Sequence, residues 1–119
     1  MATRSTKELM SERNITVVGG DIFTTNGFTQ VPNVILRHPA LNAGEKLAYT
    51  ILLSYAWEKD SCFPGQDRLA EDMGVSRASA NTYVKGLAKK KFIEIKRRGQ
   101  GRSNLYVLNL KAKVLKTKT

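Results

Sequence analysis

Residues 63–110 read FPGQDRLAEDMGVSRASANTYVKGLAKKKFIEIKRRGQGRSNLYVLNL. After Pro64-Gly65, the pattern predicts a short helix from about Gln66 to Met73, with Leu69, Ala70 and Met73 on its inward face. Gly74 supplies the left-handed residue that stops such a helix, and Val75 then tucks into the core. Ser76 is placed to cap the next helix, Arg77 to about Lys90. Ala80, Val84 and Leu87 continue a core stripe along it, with Tyr83 and Ala88 at the margins. Phe92 to Arg97 is β-branched and partly alternating, hence a strand; Gly99 to Ser103 is a flexible loop, and Asn104 to Leu110 is the return strand.

Outward on the N-terminal side, Asn42 can cap a longer helix and Glu45 can return the bond in a capping box. Leu47, Ile51 and Tyr55, with Ala48 and Leu52, are expected to form its one broad apolar face, and Lys59-Asp60-Ser61 to end it. Val31 to Arg37 predicts a turn and one helical turn, ending near Pro39. Asn26-Gly27 separates IFTT from FTQV, which predicts either a β-hairpin or a single strand at the domain edge. Two short helices joined steeply through a Gly-containing turn, then a two-stranded hairpin, spell a helix-turn-helix with a wing. The fold class expected is mainly α with a small antiparallel β-wing, a winged helix-turn-helix, to which the N-terminal segment adds either the hairpin or the single edge strand. Residues 1–14 are read as a mobile arm, 15–110 as the domain and 111–119 as a basic, solvated tail.

At 119 residues, 41% of them hydrophobic, there is material for one domain with one core. Charge divides sharply along it. Residues 1–84 carry eight Lys+Arg against nine Asp+Glu, whereas residues 85–119 carry 12 against Glu94 alone. Positive charge gathered at the end of the second motif helix and on the following hairpin is the footprint of a polyanion partner. No apolar run approaches the ~18 residues of a membrane span. The N-terminus lacks the apolar centre and cleavage pattern of a secretion signal. One cysteine, Cys62, permits neither an internal disulfide nor a cysteine-rich zinc site. The expected home is a bacterial cytoplasm, in association with nucleoid or plasmid.

A B-DNA major groove about 12 Å wide admits one helix, and the second helix of this motif offers its N-terminal residues to base edges. Those residues are Arg77, Ser79, Asn81 and Thr82, with Ala78 close enough to touch a thymine methyl. Arg pairs with guanine O6 and N7, and Asn with adenine N6 and N7. The plainer alternative is a solvated polar face on a packing helix. Lys85, Lys89, Lys90 and Lys91 also suit the helix dipole, so part of that cluster needs no ligand. The dipole does not account for Lys96, Arg97, Arg98 and Arg102 beside the Gly99-Gln100-Gly101 loop. Arg102 at the loop tip is suited to a narrow minor groove, whose potential attracts arginine.

Other candidates carry little. Gly99-Gln-Gly101 lacks the third glycine of a dinucleotide loop. His38 is the only histidine and has no clustered ligands, so no metal site is expected; Cys62 has no nearby base. Glu71 and Asp72 are adjacent on a short helix and point apart. No catalytic residue, cofactor or small-molecule ligand is expected.

DRLAEDMGVSRASANTYVKGLAKKKFIEIKRR resembles the winged-helix module shared by GntR-type regulators and many phage and plasmid proteins. FTQVPNVILRHPALNAGEKLAYTILLSYAW followed by CFPGQDRLAEDMGVSR resembles the helix-turn-helix domain of plasmid replication initiators, DnaD-like primosome proteins and small mobile-element regulators. The likeness covers residues 28–110. It implies that Ser76 to Lys85 is the recognition segment and Lys96 to Ser103, including Gln100, the wing on backbone or minor groove. GntR-type proteins continue into an effector domain and the initiators into a second domain. This chain is therefore expected to be a stand-alone DNA-binding accessory protein or an excised domain. Gly86 inside the recognition helix serves either close packing or close DNA approach.

The leading expectation is a sequence-specific binder of double-stranded DNA in plasmid or mobile-element replication, transfer or transcription control, acting as a homodimer or in tandem. The alternative is a protein-interaction or dimerisation adaptor with only non-specific DNA affinity. RNA binding ranks below both, because Tyr83, Phe92 and Tyr106 fall near core positions rather than on a stacking platform.

Overall fold

The computed structural model describes residues 15–20, 25–57, 64–97, 99–101 and 105–109. Expectations for 1–14, 21–24, 58–63, Arg98, 102–104, Leu110 and 111–119 lie outside the described residues. Along the chain run α1 (Asn33–Leu36), α2 (Ala43–Trp57), α3 (Gln66–Met73), α4 (Arg77–Lys89), β1 (Ile93–Lys96) and β2 (Leu105–Leu108). The two strands pair antiparallel, with Ile93 opposite Leu108 and Lys96 opposite Leu105. This is a winged helix-turn-helix.

The local signals in residues 64–90 act as expected. Gly74 takes φ 73°, and the N–H groups of Gly74 and Val75 close the end of α3 on the carbonyls of Glu71 and Ala70. Ser76 caps α4, its Oγ accepting from the Ser79 N–H at 3.1 Å. At the start of α2 the capping box is complete: Asn42 Oδ1 accepts from the Glu45 N–H at 2.8 Å, and Glu45 Oε1 accepts from the Asn42 N–H at 3.0 Å.

One core unites the helices with the sheet. Leu69, Ala70 and Met73 of α3 meet Ala80, Val84 and Leu87 of α4, over Ala48, Tyr49, Leu52 and Leu53 of α2. Ile35, Leu41, Phe92, Ile93 and Tyr106 close it. Each fully buried large side chain contributes roughly 1.5–3 kcal/mol from removal of apolar surface from water.

Two expectations are corrected. The buried face of α2 is Ala48, Tyr49, Leu52 and Leu53; Ile51 and Tyr55 are half-buried and Leu47 is 43% exposed. This helix has apolar residues on every side, so spacing alone did not set its phase. The phase follows from Tyr49, whose buried hydroxyl donates to the Asn109 carbonyl at 3.3 Å and ties α2 to the end of β2. At the N-terminal side, Asn26 (φ 61°) and Gly27 (φ 71°) adopt the left-handed backbone of a tight turn, yet residues 25–31 form no strand. Turn chemistry fixes a turn; strands need a sheet edge to pair with.

Candidate nucleic-acid interface

Helices α3 and α4 are joined through the short connection Gly74 to Ser76 and share one core, with the start of α4 left outward. Arg77, Ala78, Thr82 and Lys85 are exposed there, while Ser79 and Asn81 are half-buried. All lie away from buried Ala80, Val84 and Leu87. Some of these groups already have partners. Ser76 Oγ donates to Ser79 Oγ at 3.0 Å, and Thr82 Oγ1 donates to the Ala78 carbonyl at 3.0 Å.

The expected base readers Arg77 and Asn81 are brought together by a residue the sequence reading passed over. Gln66, the first residue of α3, accepts from Arg77 Nε through its Oε1 at 3.3 Å and donates through its Nε2 to Asn81 Oδ1 at 3.3 Å. Asp67 lies beside it, its Oδ1 3.4 Å from Arg77 Nη1. The face is thus built from the first turns of two helices. The available signal was the position of Gln66, directly after Pro64-Gly65 at the start of a helix that must cross the next one.

The cations after this face divide into two groups. Lys85, Lys89, Lys96 and Arg97 are exposed, as is Gln100 in the loop between the strands. Arg98, Arg102 and Ser103 lie outside the described residues. Lys90 faces the protein instead: its Nζ donates to Glu45 Oε1 at 2.6 Å and to the Ala40 carbonyl at 2.8 Å. Glu45 is buried, so Lys90 neutralises a carboxylate that α4 covers.

Gly86 belongs to the same clamp. A Cβ at Gly86 would collide with the Glu45 carboxylate, and one at Gly44 with the Tyr83 ring. Gly86 therefore serves close packing of α4 on the start of α2, and its choice between packing and DNA approach is decided. Lys91 continues the turn after α4 with φ 68°, a backbone region that favours glycine.

His38 is buried against Phe92, ring edge to face at 4.9 Å, with Nδ1 accepting from the Ala40 N–H at 3.1 Å. Among the described residues no three His, Cys, Asp or Glu side chains gather where a metal could sit. No described helix is long and apolar enough to cross a membrane.

Residues 40–93, from the approach to α2 through the start of β1, match the model of a helix-turn-helix domain family. Among solved structures, one described as a Rep–DNA complex superposes with a TM-score of 0.52 at 19% identity, covering 79% of this chain and 83% of the other. A second, the N-terminal domain of a DNA binding protein, superposes with a TM-score of 0.51 at 19% identity over 80% of this chain and 83% of its own. No curated protein sequence matches. At such identities the structural likenesses speak for the fold. Together the helix-turn-helix match and the two structural likenesses support the winged helix-turn-helix fold described above.

Proposed function

We propose that this protein binds double-stranded DNA in a sequence-specific manner, with α4 in the major groove and the wing cations on the phosphate backbone. The observation that carries the reading is the outward start of α4. Arg77, Asn81 and Thr82, side chains able to address base edges, share a face flanked by Lys85 and followed by Lys96 and Arg97. The likeness in fold to a structure described as a Rep–DNA complex supports DNA as the partner. Arg102 serves the minor groove or backbone in this reading. The chain acts by binding alone, without reaction or cofactor.

The role proposed is plasmid or mobile-element replication, transfer or transcription control, because the resemblance at residues 28–110 is to proteins of that kind. Exposed Ile15, Val17 and Val18 favour pairing of two copies, and hence a target of paired half-sites. The test is selection of bound duplexes from a random pool at about 150 mM salt, near physiological ionic strength. Recovery of a motif is the expected outcome, with symmetry if the protein acts as a dimer. Salt-sensitive binding with no enriched motif would instead identify a non-specific basic adaptor.

A further inference from the structure

We propose that Gln66 is a positioning residue for base recognition, through which Arg77 sets the direction in which the Asn81 amide meets DNA. The inference rests on the DNA-reading role proposed above. Donor and acceptor polarity fixes the arrangement. A guanidinium carries only donors, so Arg77 Nε, 3.3 Å from Gln66, requires the amide oxygen of Gln66 to face it. The Gln66 amide nitrogen then faces Asn81, 3.3 Å away, and being a donor it requires the Asn81 oxygen. Both amides, each free to turn over in isolation, are fixed in series by one arginine.

The consequence for recognition is directional. With Oδ1 engaged by Gln66, Asn81 presents its Nδ2 donors, which have no partner among the described residues. Major-groove edges bearing acceptors suit it: guanine N7 and O6, thymine O4 or adenine N7. Cytosine, whose N4 amine donates, does not. The flanking Asp67 carboxylate, near Arg77 Nη1, keeps that arginine beside Gln66 before DNA arrives.

Gln66→Glu reverses the relay without changing its size. A carboxylate has acceptors on both oxygens, so one still takes Arg77 Nε while the other demands a donor from Asn81. The Asn81 amide turns over and offers Oδ1 to the groove, favouring edges that donate: cytosine N4 or adenine N6. Gln66→Met removes both bonds while retaining the stem.

The test uses the full chain and a panel of duplexes in which each base pair of the wild-type site is varied, with thermal melting to verify each variant's fold. The expected result for Gln66→Glu is a change of preferred base at a single position, by about tenfold in relative affinity, as for the loss of one good base contact. Gln66→Met should flatten that position, as should Asn81→Ala. In the Asn81→Ala background, Gln66→Glu should no longer shift it. Uniform weakening across the panel, with preferences intact, would overturn the relay and make Gln66 a neighbour of phosphate only. A shift at the base read by Arg77 rather than Asn81 would overturn it equally. If the wild-type protein discriminates no sequence at all, the DNA-reading role fails first and the relay with it. A measurement without DNA stands beside these: in the free protein, the Asn81 side-chain amide NMR signals should move in Gln66→Glu and Gln66→Met. Unmoved signals would mean that no relay exists.

Discussion

Lys91 is the residue at which local backbone preference and native geometry disagree most. It takes φ 68° because the chain must turn from α4 into β1 within three residues, with the Lys91 and Phe92 N–H groups returning to the carbonyls of Ala88 and Leu87, each at 3.0 Å. A residue with a Cβ is disfavoured there by roughly 1–2 kcal/mol relative to the right-handed helix, whereas Gly is not. Lys91→Gly is therefore expected to raise stability by about 1 kcal/mol, less the entropy Gly gains when unfolded, read as a higher urea midpoint at unchanged slope. Gly86 presents the opposite case. In a free-standing helix, Gly→Ala stabilises by about 1 kcal/mol. Here the added methyl meets the Glu45 carboxylate and must displace it from both Asn42 and Lys90. Gly86→Ala should destabilise by about 1–3 kcal/mol, the usual range for overpacking. Once Glu45→Ala has vacated the space, the same substitution should become stabilising. That change of sign in a double-mutant cycle is the signature of the clamp, and simple additivity would reject it.

At the scale of elements, the tie between α2 and the wing is testable through pH. Tyr49 is buried and its hydroxyl pKa is pushed up to about 12 by desolvation, against 10.0 when exposed. The native state thus favours the neutral phenol. Its contribution is whole below about pH 10 and fades as pH rises toward about 12. Tyr49→Phe should lose part of the alkaline fall in stability while costing about 1 kcal/mol at neutral pH for the bond to Asn109. An unaltered alkaline limb would mean that Tyr49 ionises without leaving its site. The same residue explains what was legible. The α3–turn–α4 unit and wing could be read directly, because Gly74, Ser76 and the Ala80/Val84/Leu87 stripe are local instructions. The Asn42–Glu45 capping box was legible for the same reason. The buried side of α2 was not, since Tyr49 finds its partner 60 residues later and apolar residues recur on every side of the helix. Gln66 escaped likewise, its partners lying 11 and 15 positions on, joined by a helix crossing rather than by a motif.

For the whole molecule the governing quantity is a net charge of +10, all of it carried after residue 84, and not all of that charge is equally available. Lys96 is exposed on the outer side of β1, whereas Lys90 is engaged by buried Glu45. DNA binding releases about 0.9 counterions for each phosphate neutralised, so the slope of log affinity against log salt counts the cations that reach the backbone. If Lys85, Lys89, Lys96 and Arg97 each meet one phosphate, these described residues alone give a slope of roughly −4, with any contact from Arg98 or Arg102 adding to it. Lys96→Gln should make the slope shallower by about 1 and weaken all sequences alike. Lys90→Gln removes the same formal charge from the same chain, but should leave the slope unchanged while lowering the urea midpoint, because a buried carboxylate loses its partner. Equal effects of the two substitutions on the salt slope would mean that DNA sees only the net charge. Unequal effects, in this direction, would mean that folding has sorted the lysines into those that hold α4 on α2 and those that face the polyanion.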